Sequence, residues 1–581
     1  MDRATTTSTT VFWPEDVKTP GICFGWDEPC ICVAGTAKSV DSLQAALHRL
    51  KDAQTVFGTG PKVLGRCTLR NDSTTSKRRY PPLELNFIFI PGNYTIVYYK
   101  RHETRSLRFY SLHPFLNLDT DAGNAPASAA KPSLLDYDFT APKPKSTSAL
   151  NPVVITQFNA AKMLDNNLQR APASFASRLN IITGFESVVA LGSGVTSVLS
   201  SMVSSVCSAP IPKLGFGFPT VLLRDISSTA QQLDVRMEQI DYLTHQAEAL
   251  KSGVERASVA PYAARYVNFY NTIWLILNDV TIGTAVGTFI RENDRVLSAL
   301  IGRYTKTYLI EWVQWVLIWL DTWPAGLKLN TELSRFYTQM FTGLVTIWGT
   351  SFTHLTPYLP TLLTLLSFFS SFGLATTLSL TADLFALFTG HIYICYLIST
   401  SIYRFQLSTL TSLWNLFRGK RYNVLRKRMD SYEYEMDQLL FGTILFMVVS
   451  FLFPTVVVYH ALFASLRFLS VLVYASMETV VAFMNHFPLF AIMLRVKDSA
   501  RLPGGVYFTI HTEPNGGRET YMVLRNQPIT FGSIFFQYLR LWSRLSAHYN
   551  PLRLLGMVVR GEYVGVIPRW SMRYGRRGRA V

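Results

Sequence analysis

The stretch Leu413–Arg428, LWNLFRGKRYNVLRKR, runs directly into Met429–Phe463, MDSYEYEMDQLLFGTILFMVVSFLFPTVVVYHALF. Seven Lys or Arg lie between Arg404 and Arg428, set against a long apolar run. About 20 consecutive apolar residues suffice to cross hydrocarbon as a helix, and cytoplasmic flanks of such helices are rich in Lys and Arg. The pattern marks a membrane boundary and puts the loop after Tyr403 in the cytosol.

Composition points the same way. The chain has 581 residues, 49% of them hydrophobic and 16% charged, with a mean hydropathy of +0.18, more apolar than an ordinary water-soluble protein. The apolar mass is uneven: before Pro261 the sequence is mixed and turn-rich, and beyond it come long runs of Leu, Phe, Trp and Tyr. The net charge of +17 comes from basic residues beside those runs and in the tail (Arg569, Arg573, Arg576, Arg577, Arg579), which suits anionic lipid rather than nucleic acid. Cys23, Cys30, Cys32, Cys67, Cys207 and Cys395 show no CxxC pair, so neither a disulfide framework nor a zinc site is expected. The opening MDRATTTSTT lacks the apolar core of a signal peptide, and the N-terminus is expected in the cytosol.

These features define a mainly α, polytopic helical membrane protein of about six transmembrane helices, with an N-terminal mixed α+β cytosolic region. Residues 1–118 read as a small β-rich domain, because LELNFIFIPGNYTIVYYKRHETRSLRFYSL from Leu83 alternates β-branched and aromatic runs with turns. Residues 119–152, rich in Ala, Pro, Ser and Lys, read as a disordered linker. Residues 153–260 read as helical, with an amphipathic helix at 225–251 whose Leu233, Met237, Ile240, Leu243, Ala247 and Leu250 share one face. That face suits packing on its own domain, or a partner helix.

The membrane domain, 261–494, offers candidate spans at 272–290, 308–323, 340–372, 380–403, 439–463 and 469–494, with a basic cytosolic loop at 404–437 and a basic cytosolic tail at 495–581. The third candidate is overlong and holds Pro357 and Pro360; the second is short and carries Glu311, Gln314 and Asp321, so kinked or re-entrant forms are open for both. Six spans satisfy the charge rule at Lys328, Arg335, the 404–428 loop and the tail, but leave Arg291, Arg295, Arg303 and Lys306 in the lumen. The acceptor patterns Asn71-Asp-Ser and Asn93-Tyr-Thr are unused if their region is cytosolic.

Chemistry is sparse. Asp279, Gly283 and Gly287 recur at steps of four, so a carboxylate and two small residues share a helix face, as a close packing seam would need. Asp383, His391, His460, Glu478 and His486 are scattered and spell no proton relay. Asp119-Thr120-Asp121 is a DxD, a metal-diphosphate pattern of little specificity in a low-complexity stretch. No Walker A motif, GxGxxG, GxSxG, HExxH or pair of glutamates eight apart accompanies it, so neither catalytic residues nor a metal or cofactor site is expected.

NDVTIGTAVGTFI at Asn278, WPAGLKLNTEL at Trp323, LFRGKRYNVLRKRMDSYEYEMDQLLFGTILF at Leu416 and RLPGGVYF at Arg501 resemble the PIG-Q family, in order over roughly 225–561. The resemblance implies residence in the endoplasmic reticulum membrane and a part in the first step of glycosylphosphatidylinositol (GPI) anchor synthesis. That step moves N-acetylglucosamine from UDP-N-acetylglucosamine to phosphatidylinositol. It implies a non-catalytic assembly and stabilising role beside a separate catalytic subunit, PIG-A, and PIG-C, PIG-H, PIG-P and PIG-Y. It supplies no catalytic residues. Arg418, Lys420, Arg421, Arg426, Lys427 and Arg428 are then expected against lipid headgroups, or as topology determinants alone. Asp279, Gly283 and Gly287 are expected at a helix or subunit seam. Lys328, after the helix-stopping Pro324-Ala-Gly, is expected near the membrane boundary or against the catalytic subunit. A transporter or lipid scramblase is the competing reading, disfavoured by the lack of internal symmetry.

Overall fold

The computed structural model describes residues 9–39, 60–69, 83–87, 94–112, 150–169, 227–251 and 259–564, less a few positions within them and with a few isolated residues besides. The DxD, the acceptor residues Asn71 and Asn93, Pro324, the tail arginines and most of the linker lie outside the described residues.

Six strands come first: β1 (Thr9–Pro14), β2 (Gly21–Trp26), β3 (Ile31–Ala37), β4 (Lys62–Leu69), β5 (Leu83–Phe87) and β6 (Tyr94–Tyr99). Their side chains alternate between two apolar layers, Phe12, Phe24, Trp26 and Cys32 on one face and Val11, Trp13, Cys23 and Val33 on the other. Helix α1 (Pro152–Gln169) covers the first layer, with Phe158 stacked on Tyr99 at 4.7 Å. Arg101 ties the layers together, donating to the Ala34 carbonyl at 2.7 Å and pairing with Asp16 and Asp165.

His102 sits beside Tyr110, where burial and the charges of Lys100 and Arg108 lower its pKa to about 4. The unfolded chain therefore binds more protons than the folded one between about pH 6.5 and 4, and stability falls as pH drops through that window. A His102→Phe variant is expected to flatten the acid limb of a melting-temperature profile; an unchanged slope would assign the limb to other groups.

The helical part continues with α2 (Ser228–Lys251), α3 (Val259–Glu292), α4 (Asp294–Tyr304), a π-helical turn at Thr305–Glu311, α5 (Trp312–Asp321), α6 (Thr331–Leu355), α7 (Leu359–Ser370), α8 (Leu374–Phe388) and α9 (Gly390–Phe417). A small hairpin, β7 (Lys420–Asn423) and β8 (Arg428–Ser431), leads into α10 (Met436–His486) and α11 (Leu489–Lys497). The bundle core gathers Val313, Leu317, Tyr337, Phe341, Tyr396, Tyr459 and Phe463. The Tyr459 hydroxyl bonds Ser334 at 2.9 Å and Thr338 at 2.7 Å, fixing α6 on α10.

The spans differ from the sequence reading in their breaks. The fifth and sixth candidates, 439–463 and 469–494, are largely one helix, α10, which runs for 51 residues through Pro454. Nothing between Leu439 and Asn485 supplies a turn, and the single proline removes one N–H without ending the helix. The third candidate is split at Thr356–Tyr358, where Pro357 and Pro360 end one helix and start the next. The fourth is bent by 55° between α8 and α9. By length and composition two helices suffice to cross a membrane, the Arg265–Glu292 part of α3 and α10, or three if α8 with α9 make one bent span.

The expected tail also has structure. β9 (Pro503–Thr512) and β10 (Thr520–Pro528) form an antiparallel pair, and β10 lies parallel to β6, with Met522 opposite Val97. One eight-stranded sheet results, in the order β5-β4-β2-β3-β1-β6-β10-β9. Helices α12 (Phe536–His548) and α13 (Pro551–Val559) follow, and Tyr403 of α9 donates to the Val559 carbonyl at 2.8 Å. Arg108 pairs with Asp498 at 2.9 Å, joining the sheet to the segment after α11. Burial alone would raise the Asp498 carboxyl, but Arg108 and Arg501 hold it below the usual carboxylate range.

Candidate functional site

Helix α2 is turned inside out relative to its apolar stripe. Gln232, Arg236 and Gln239, at i, i+4 and i+7, are buried, whereas Leu233 is 40% exposed and Met237, Ile240 and Leu243 are half-buried. The sequence reading took the apolar face as the packing face; the structure packs the polar one, because the surfaces it meets on α3, α8 and α10 are themselves polar.

Four contacts make this joint. The Asp383 carboxylate of α8 accepts from the backbone of Ser228 at 2.8 Å and Thr229 at 2.9 Å and from the Ser227 hydroxyl at 2.6 Å, capping α2 from another helix. Gln232 and Asn485 of α10 exchange two amide hydrogen bonds, 3.0 and 2.7 Å. Ser228 meets the Tyr474 hydroxyl. Deepest of all, Arg236 forms a buried ion pair with Asp279 of α3.

Both oxygens of Asp279 are engaged. Its Oδ1 accepts from the Ala375 N–H at 2.9 Å, at the first turn of α8, and its Oδ2 faces Arg236, which also donates to Gln239 at 3.0 Å. The approach depends on Gly373, whose φ of +129° and lack of Cβ leave room for the carboxylate. Below it, Ser370 donates to the Gly283 carbonyl and Ser367 to the Gly287 carbonyl at 2.8 Å. A Cβ at Gly283 would lie 2.5 Å from the Ser370 carbonyl oxygen, and one at Gly287 would lie 2.9 Å from the Ser370 Cβ. The structure therefore brings Asp279, Gly283 and Gly287 together against the α7–α8 turn of the same chain. Lys328 is on a different element, exposed before Asn330, the N-cap of α6.

Arg236, Gly373, Gln232 and Asn485 were missed by the sequence reading. The usable signal was the charged pair Asp234 and Arg236 inside an otherwise apolar-striped helix, and a lone glycine after the run SFFSSF. A carboxylate held by a guanidinium and a backbone N–H is neither a free base nor a nucleophile, so the arrangement fixes helices rather than performing chemistry. Among the described residues no three His, Cys, Asp or Glu side chains converge as a metal site.

The six basic residues lie on the β7–β8 hairpin and its approach. Gly419, with φ +60°, ends α9, and the strands pair Arg421 with Asp430 and Asn423 with Arg428. Asn423 accepts from the Leu425 and Arg426 N–H groups to close the turn, and Lys427 takes φ +49°. Arg428 is paired with Asp430 at 2.8 Å and Arg421 lies over the Tyr432 ring at 5.3 Å. Arg418, Lys420, Arg426 and Lys427 are exposed, and Leu425 at the tip is 96% exposed.

Fold and joint together define a mainly helical protein with helices of membrane-crossing length and composition, locked internally by buried polar contacts. A family model described as N-acetylglucosaminyl transferase component (Gpi1) matches residues 230–504. That match covers a little under half of the chain. It is 38% identical over 354 residues to the N-acetylglucosaminyl-phosphatidylinositol biosynthetic protein gpi1 of Schizosaccharomyces pombe, covering 60% of this chain and 54% of that one. It is 34% identical over 405 residues to the phosphatidylinositol N-acetylglucosaminyltransferase subunit GPI1 of Saccharomyces cerevisiae, covering 66% and 65%. Against subunit Q of that transferase from Mus musculus it is 31% identical over 324 residues, covering 55% and 53%. The match therefore spans between half and two thirds of the length of these relatives. No solved structure matches the chain.

Proposed function

We propose that the chain is a non-catalytic assembly and stabilising subunit of the endoplasmic reticulum complex that transfers N-acetylglucosamine from UDP-N-acetylglucosamine to phosphatidylinositol, the first step of GPI anchor synthesis. The observation that carries this is the extent of the family match, which contains Arg236, Asp279, the glycine seam and the basic hairpin. Its partners are a PIG-A-like catalytic subunit and PIG-C-, PIG-H-, PIG-P- and PIG-Y-like subunits. The chain is multi-pass, with its N- and C-terminal regions in the cytosol; the β6–β10 pairing supports placing both on one face. The test is purification of the tagged chain from endoplasmic reticulum membranes with its partners, beside the chain alone, each assayed for transfer of labelled sugar to phosphatidylinositol. Activity only with the PIG-A-like subunit present supports the reading; transfer by the isolated chain overturns it.

Within this role the hairpin binds anionic headgroups. Each exposed cation near such a surface contributes about 1 kcal/mol, so replacing Arg426, Lys427 and Arg428 with Gln is expected to weaken binding to phosphatidylinositol-containing vesicles by roughly tenfold or more. Unchanged vesicle binding, complex assembly and transfer would overturn the lipid contact.

A further inference from the structure

Arg467 of α10 is a half-buried cation with no acid paired to it among the described residues. Its guanidinium lies over the ring of Tyr393, the fourth residue of α9, with Cζ 4.5 Å from the centroid. Its Nε is shut off from solvent and makes no hydrogen bond, and among the described residues the guanidinium makes no hydrogen bond or ion pair at all. The nearby hydroxyls are committed elsewhere: Tyr396 to the Val564 N–H, Tyr474 to Ser228 and Tyr549 to Glu478. The Tyr393 hydroxyl, 41% exposed with its ring, has no hydrogen-bond partner among the described residues. Arg467 is half-buried, and of its guanidinium nitrogens only Nε is shut off from solvent, so its terminal N–H groups are open to an anion.

The position of Arg467 along α10 says which anion. From Asp437, beside the basic hairpin, to Arg467 is a rise of about 45 Å, against about 40–45 Å for a bilayer with its headgroups. Between them Leu440, Phe441, Ile444, Met447, Val448 and Phe451 are exposed, a surface suited to hydrocarbon. With the hairpin at one headgroup layer, Arg467 stands at the other. Beside it, one residue from Tyr393 toward the hairpin end of α9, Ile394 is about half exposed, as an acyl chain would require.

We propose that Arg467 and Tyr393 hold the phosphodiester of an anionic phospholipid. The guanidinium takes the phosphate oxygens, the Tyr393 hydroxyl donates a further bond, and the ring keeps the guanidinium in place from behind. The proposal rests on α10 facing lipid and not on the transferase assignment, so the two fail in different assays.

The test is native mass spectrometry of the full chain, purified with its partners in mild detergent and titrated with phosphatidylinositol or with phosphatidylcholine. The wild type is expected to keep one phosphatidylinositol in preference to phosphatidylcholine. Arg467→Gln is expected to bind it about tenfold or more weakly, the scale of one charged hydrogen bond, and Arg467→Lys less so. Tyr393→Phe, which keeps the ring, is expected to weaken retention severalfold with an unchanged melting transition, and it carries the test if Arg467→Gln does not fold. Displacement of the lipid by excess inorganic phosphate would overturn the lipid source in favour of a free-anion site. Unchanged lipid retention in Arg467→Gln overturns the proposal, and loss of a partner subunit in that variant would identify a partner carboxylate instead.

Discussion

Asp279→Leu is expected to be among the most damaging single substitutions in the described part of the chain. It strands the buried Arg236 guanidinium and leaves the Ala375 N–H without its acceptor. Breaking a buried pair by removing one partner costs about 3–5 kcal/mol, while replacing both partners with apolar residues of similar size is often neutral. Arg236→Met combined with Asp279→Leu should therefore recover much of the loss, short of the about 1–3 kcal/mol of the unsatisfied N–H. Melting transitions of the purified single and double variants measure this directly. A double variant as unstable as the single one would mean that the pair contributes more than mutual neutralisation.

The second large effect is steric. Gly373→Ala places a methyl group on the Asp279 carboxylate while holding an alanine at φ +129°, so both the joint and the backbone resist it. Gly283→Ala meets three backbone atoms of the α7–α8 turn at 2.5–2.6 Å, which cannot move as a side chain can. Each is expected to cost about 3 kcal/mol or more, from overpacking and strain together. Gly343→Ala is the matched control: it lies inside α6 with open space around its Cβ position, and should be neutral or stabilising by up to about 1 kcal/mol. Equal effects at Gly283 and Gly343 would dissolve the seam.

What could be read from sequence was whatever depends on period and charge. The Asp279, Gly283 and Gly287 spacing announced a helix face made for close approach, and the run of apolar residues after Met436 announced a long buried or lipid-facing helix. The breaks were harder, because nothing in the residues near Arg467 distinguishes one helix of 51 residues from two helices joined by a short turn. The direction of α2 was illegible for a different reason. An apolar stripe predicts the packed face only when the neighbouring surface is apolar, and here Asp279, Asp383 and Asn485 wait on the other side. The pairing of β10 with β6 joins residues more than 400 positions apart, a contact that no local pattern encodes.

That same pairing acts as a parity rule for the membrane. Strands on either side of the helical region share backbone hydrogen bonds, so the chain between them crosses the bilayer an even number of times or not at all. Counting α3, α10 and the bent α8–α9 pair as one crossing each gives an odd total and is thereby excluded. If α10 crosses once, the hairpin before it and the sheet after it face opposite compartments, and a cytosolic hairpin cannot coexist with a cytosolic tail. Glycosylation acceptors inserted at 513–519 and at the 424–427 turn should then report opposite sides. An insertion just before β6 should report the same side as 513–519, whatever the number of spans.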